Sequence, residues 1–132
     1  MRSTLAFLLA AVVFPVAAQA AGRSGETVYR EACMACHDGG LNKAPRTGDT
    51  KEWAPRLREG QPALTGIAWT GIRQMPPKGG REDLSLEEFS RAVAWMARQS
   101  GGNWQDPDAA MLARIDAVVK KREARAKKSA NG

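Results

Sequence analysis

Cys33-Met34-Ala35-Cys36-His37 is the stretch on which the reading of this 132-residue chain turns. It holds the only two cysteines and the only histidine in the sequence. Two thiols three positions apart fall on one helical turn, so each can add to one vinyl group of a haem, and the adjacent imidazole points at the iron. A disulfide or redox dithiol is the plain alternative for two cysteines in an exported protein. A thioredoxin-like motif needs a βαβ context, which the sequence lacks. A structural zinc needs four ligands, and there is no second Cys/His pair to complete the set. The pattern therefore reads as an attachment site for one covalent haem c, with Cys33 and Cys36 as thioethers and His37 on the iron.

The flanking sequence supports export. Met1-Arg2 is a short basic start, Leu5 to Ala18 is apolar apart from Pro15, and Ala18-Gln19-Ala20 is a small-residue cleavage site. The spacing predicts a signal peptide over 1–20 and a periplasmic mature protein. An uncleaved anchor is the other reading, but the apolar run is shorter than the ~20 residues a spanning helix needs. The net charge is +6, with 20 Lys and Arg against 14 Asp and Glu, and of the basic residues only Arg2 lies in the signal. Such a surface favours acidic proteins or anionic membrane. Export argues against nucleic acid as a partner.

With a single histidine, the second axial position of the iron falls to methionine, lysine, water or nothing. Met34 sits inside the attachment turn, too close to reach the opposite face of the haem. Met96 and Met111 fall in apolar helical patterns and read as packing residues. Met75 stands before Pro76-Pro77-Lys78-Gly79-Gly80, which can be neither helix nor central strand. It is either a loop methionine capping the core or an iron ligand held by a proline-stiffened loop.

The remaining pattern is helical, and the fold class expected is all-α. A first helix covers 25–36, with Ser24 as N-cap and Val28, Tyr29 and Ala32 at core spacing. Asp49-Thr50-Lys51-Glu52 resembles a capping box for a helix to about Gly60, which Pro55 bends or confines to its early turns. A short helix over 62–70 turns Leu64, Ile67 and Ala68 inward. Ser85-Leu86-Glu87-Glu88 is a capping box opening a helix to about Gln99, with Phe89, Val93 and Met96 at core spacing.

From about Gly25 to Met96 the chain resembles a class I c-type cytochrome, and most of all the short bacterial cytochrome c5 group. The likeness is carried by CMACH (33–37), APRTGD (44–49), WAPR (53–56), MPPKGG (75–80) and AVAWM (92–96). It implies a small monohaem cytochrome fold with Met75 as the second axial ligand, a pairing that raises haem potential. It also implies that the Pro45 carbonyl accepts from His37, where simple turn punctuation is the alternative. Trp53 and Arg56 would lie near the haem propionates; a capped surface helix is the alternative there. The first helix would cross the helix of Phe89, with Tyr29 and Trp95 at or beside the contact. Lys43, Arg46, Arg73, Lys78 and Arg81 would fall in loops around the exposed haem edge.

Beyond residue 100 the resemblance ends. The organisation expected is a signal peptide (1–20), a cytochrome c domain (21–100), and a linker with a basic C-terminal helix (101–132). Asp106-Pro107-Asp108 supplies an N-cap and a proline at the first helical position. Met111, Leu112, Ile115, Val118 and Val119 then form one apolar stripe ahead of a basic end. That stripe either packs back on the body, docks a partner or second copy, or lays the basic end on anionic membrane. The function expected is electron carriage between redox partner proteins with acidic docking surfaces. The alternative is a haem subunit docked in a larger periplasmic oxidoreductase. An enzyme is not expected, since a peroxidase needs an open iron position and an acid/base group.

Overall fold

The computed structural model describes residues 22–132; the expected signal peptide over 1–20 lies outside them. Ser24 Oγ accepts from Thr27 N–H at 3.2 Å and starts helix α1 (Gly25–Val28). The run continues through a π-helical turn (Tyr29–Cys33), where Met34 N–H reaches back five residues to the Tyr29 carbonyl, into α2 (Met34–His37). One helix was expected over 25–36, and the chain follows that path with a widened turn directly before the second half. Such turns displace the residues after them around the helix and cluster at functional positions.

Two ten-residue helices follow, α3 (Thr50–Glu59) and α4 (Gln61–Thr70), separated only by Gly60 at φ 88°. Asp49 Oδ1 caps α3 through Lys51 N–H and Glu52 N–H, both at 3.0 Å. The reciprocal half of a capping box is missing, because the Glu52 carboxylate accepts from Arg46 N–H at 2.7 Å instead. Pro55 does not confine α3, which runs four residues past it. A proline here removes one backbone donor, and the turns on either side keep theirs.

Helix α5 (Leu86–Gln99) begins with a complete Ser85–Glu88 capping box. Helix α6 (Ala109–Ala130) starts later than expected, with Asp108 as N-cap accepting from Met111 N–H at 2.7 Å. Asp106 is taken by the Arg98 guanidinium at 3.0 Å, so the next acid in line does the capping and Pro107 stays outside the helix. Short 3₁₀ turns at Leu41–Lys43 and Pro77–Gly80 complete the structure. Among the described residues there is no strand, only an isolated pairing of Ile72 with Met75. The fold is all-α, as expected. Among the same residues no helix is long and apolar enough to cross a membrane.

The N-terminal helical run crosses α5 at Gly25. A methyl group there would sit 2.3 Å from the Arg91 carbonyl oxygen and 3.0 Å from Trp95 Cβ, so only glycine lets the backbones meet. One turn on, Tyr29 and Trp95 pack with ring centroids 4.7 Å apart. Two apolar clusters flank this crossing: Val28, Leu84, Phe89, Ala92 and Val93 on one side, Tyr29, Trp53, Met96 and Ala97 on the other. Cys33 borders both.

The C-terminal helix packs back on the body, chiefly against α4. Its own Ile115 and Val119 are buried, and a methyl group on Gly66 of α4 would lie 2.5 Å from Val118 Cγ1. This crossing explains why the buried positions of α4 are Gln61, Thr65 and Gly66. Leu64, Ile67 and Ala68, expected inward, are half-buried. From Glu123 to Ala130 every residue of α6 is exposed.

Arg23 ties the start of the chain to the start of α5. Its guanidinium reaches Glu88 at 3.0 Å and both Glu31 and Asp83 at 3.1 Å. The Arg23 side chain, then backbone N–H groups of Arg23 and Ser85, hold the Glu88 carboxyl down to about 2 from its ordinary 4.5. A carboxylate with a depressed folded pKa contributes stability above its unfolded pKa and loses it as pH falls through the folded one. Glu88→Gln is therefore expected to lower stability at pH 7. In urea unfolding, the gap to the unaltered protein should close as pH falls from about 4.5 toward 2.

Candidate functional site

The site begins with the imidazole. His37 closes α2 and is buried, and its Nδ1 lies 2.9 Å from the Pro45 carbonyl. A carbonyl can only accept, so Nδ1 carries the proton and Nε2 keeps a free lone pair. Burial lowers the His37 pKa, and the nearby Arg56 charge adds to that against the Pro45 bond. The ring is thus neutral, oriented, and free to coordinate through one nitrogen, which is how an outer hydrogen bond fixes a metal-binding histidine.

The strand of chain from 45 to 47 is stapled to the attachment turn by two further bonds. Thr47 N–H donates to the His37 carbonyl at 2.7 Å, and Trp53 Nε1–H donates to the Arg46 carbonyl at 2.9 Å. Trp53 is 3% exposed, so α3 meets this loop through an indole and not through a surface. Thr47 Oγ1 is buried with no hydrogen-bond partner among the described residues. Nothing in the motif pattern singled Thr47 out; an orphaned hydroxyl is visible only once the loop is folded against His37. Arg56 lies one turn along α3 from Trp53 and donates through Nη1 to the Glu52 carbonyl of its own helix.

Both cysteines are free thiols and half-buried. Burial first, and the neighbouring Cys36 second, push the Cys33 thiol up to about 11. Cys33 ends the π-helical turn, and Cys36 and His37 lie in the α-helical turn after it. Two half-buried thiols, an imidazole with one committed nitrogen and a buried hydroxyl without a partner among the described residues form a donor set that fits a covalently held haem.

Met75 sits in a tight loop that follows α4. Gly71 turns the chain at φ 85°, and Ile72 and Met75 exchange backbone hydrogen bonds at 3.1 and 2.9 Å. Met75 packs against the Val28–Phe89 cluster, which Cys33 also borders. The Pro77–Gly80 turn leans on the attachment segment, where Arg81 Nη1 donates to the Glu31 carbonyl at 3.1 Å. His37 and Met75 stand 38 residues apart in sequence, and the loop of Met75 is brought against the helical run that ends in His37.

The five loop cations fall into two groups. Arg46 pairs with Asp49, Lys78 with Glu82 at 2.8 Å, and Arg81 with Asp83 at 2.7 Å. Lys43 and Arg73 are exposed with no carboxylate in ion-pair reach among the described residues, and both hold a left-handed backbone, at φ 62° and 53°. Lys78 also lies over the Trp69 ring, 5.2 Å from its centroid.

Comparison with known proteins adds three kinds of likeness. A family model described as cytochrome C oxidase, cbb3-type, subunit III matches residues 20–96. Cytochrome c5 of Ectopseudomonas mendocina is 41% identical over 86 residues, covering 61% of this chain and 98% of that protein. Cytochrome c-555 of Chlorobaculum tepidum is 36% identical over 81 residues, covering 58% and 75%. Among solved structures, a chain from an electron transfer complex of nitrite reductase with cytochrome c is 39% identical. It aligns with a TM-score of 0.56 over 58% of this chain and 93% of its own. The family model leaves roughly the last quarter of the sequence, after residue 96, outside the part it matches.

The indole of Trp53 joins α3 to the loop that carries the imidazole's acceptor, so its removal should be felt in stability. Trp53→Phe keeps most of the apolar bulk and removes the indole donor, while the Arg46 carbonyl keeps a second donor, Asp49 N–H at 3.1 Å. A loss of about 0.5–1.5 kcal/mol in urea unfolding is expected, the usual net contribution of one hydrogen bond whose acceptor stays paired.

Proposed function

The chain belongs to the cytochrome c family and carries one covalent haem c that exchanges single electrons with redox partner proteins; from that premise we propose the residues and surfaces by which it does so. The haem iron supplies the one-electron couple. Cys33 and Cys36 would hold the group by thioethers, and His37 Nε2 and Met75 sulfur would ligate its iron. The observation that carries this reading is the His37–Pro45 hydrogen bond in a chain with no other histidine. Pro45 orients the ring, Trp53 secures the loop behind it, and Thr47 Oγ1 and Arg56 are the groups we assign to the propionates. Met75 would take the remaining iron position, and the sequence holds no other imidazole to act as an acid or base. The protein is therefore read as a carrier of the periplasm and not as an enzyme.

Acid acetone extraction tests the attachment: the haem should stay with the polypeptide, and a mass equal to the bare chain overturns the assignment. Met75→Ala tests the ligand. It should lower the reduction potential and let the oxidised iron bind azide, because the neutral thioether that favours the reduced state is gone. An unchanged potential and azide affinity, with the effect appearing in Met96→Ala instead, would place the ligand elsewhere.

Docking rests on charge. Lys43 and Arg73, free of carboxylates, flank the loops expected around the haem edge, and an acidic partner surface complements them. A second reading makes the chain a haem subunit docked in a larger oxidoreductase. It is favoured by the exposed basic end of α6 and by the family description naming an oxidase subunit. Electron transfer to an acidic acceptor should slow steeply with salt, since such attraction is screened beyond ~8–10 Å at physiological ionic strength. With loop docking, Arg73→Glu flattens the salt slope and removal of residues 123–132 leaves it nearly unchanged. The reverse pattern supports the docked subunit.

A further inference from the structure

Helix α6 reaches the methionine loop by a route that the carrier function does not require. Arg122 Nε–H donates to Thr70 Oγ1 at 2.7 Å, and that hydroxyl donates in turn to the Gly66 carbonyl at 3.0 Å. Thr70 is the last residue of α4. At the next residue, Gly71, a methyl group would lie 3.0 Å from the Met75 carbonyl oxygen and 2.9 Å from Pro77 N. The end of α4 is therefore in direct contact with the backbone of Met75. On the far side of the bond, Arg122 is not on a loose tail. It stands three residues after the buried Val119, and four after Val118, whose side chain fills the gap left by Gly66. Arg122, Thr70, Gly71 and Pro77 line one groove of about 430 Å³ between α4, α6 and the methionine loop.

We propose that Arg122 is a positioning residue: through Thr70 it fixes the end of α4, and with it the loop that keeps Met75 sulfur on the iron. This rests on the reading of Met75 as axial ligand. The physical basis is a population argument. An external ligand can bind only when the loop swings Met75 away, so its apparent affinity scales with the fraction of molecules in that open state. A hydrogen bond from a charged donor at the root of the loop lowers that fraction, and losing it raises the fraction and the apparent affinity by the same factor.

The test is azide titration of the oxidised holoprotein, followed by its visible spectrum, for the unaltered chain and for Arg122→Ala, Thr70→Val and the double variant. Arg122→Ala should bind azide more tightly, by up to roughly 10- to 150-fold, the equilibrium counterpart of one hydrogen bond to a charged group. The sign is diagnostic. Removing a cation near the site weakens the pull on an anion, so a purely electrostatic role for Arg122 predicts looser binding. In the Thr70→Val background, Arg122→Ala should add nothing, because the partner through which it acts is already gone. Azide affinity that is unchanged or lower in Arg122→Ala overturns the proposal. So does an effect retained in full alongside Thr70→Val. Met75→Ala is the internal control. If it tightens azide binding while Arg122→Ala does not, the brace alone is wrong. If neither variant tightens it, the ligand assignment falls and the brace with it.

Discussion

The hydrogen bond from His37 to the Pro45 carbonyl is the constraint around which the rest of the site is organised. A histidine at the end of a helix has two nitrogens and free rotation of its ring, and coordination needs one nitrogen in one direction. By committing Nδ1 to a backbone carbonyl, the chain removes both ambiguities at once. The cost is that the loop bearing the carbonyl must itself be held. Thr47 N–H returns to the His37 carbonyl, and the Trp53 indole takes the carbonyl between them. Three consecutive residues, 45–47, thus each spend a backbone group on the same junction. The capping of α3 by Asp49 follows immediately, so the helix that supplies Trp53 begins where the loop ends.

The opposite side is built by different means. The methionine loop has few side-chain anchors of its own; it is held by backbone pairing between Ile72 and Met75, by Gly71 at a close approach, and by two prolines. Its position accordingly depends on the end of α4. Helix α4 is short and lies under α6, where Gly66 admits Val118. The segment beyond the common family region is therefore not an appendage, because its first three turns complete the packing of a core helix. Its remaining turns, from Glu123 onward, stand clear of the body and carry charge without burying anything.

Much of this was legible in the linear chain. Ser85 and Glu88 form the capping box their spacing predicts, and Phe89, Val93 and Met96 are buried as their periodicity demands. The attachment motif was readable because its chemistry is local: two thiols and an imidazole must share one turn. What was misjudged involves competition between distant groups for one partner. Glu52 caps Arg46 N–H and not Asp49, and Asp106 serves Arg98, so α6 starts at the next acid. Neither outcome follows from spacing, because the deciding residue lies outside the local window.

The sequence by itself determined the all-α class and marked Cys33, Cys36 and His37 as the candidate attachment residues and Met75 as a candidate ligand, since these rest on residue chemistry and on periods of three and four. The tertiary structure alone decided which face of α4 is buried, that Thr47 Oγ1 is left without a partner among the described residues, and that Arg122 meets Thr70. Each of these is a contact between segments brought together by helix crossings at Gly25 and Gly66. A glycine in a sequence does not announce which backbone or side chain will approach it. Only the packed helices settle that, because close approach is a property of two surfaces and a sequence records one.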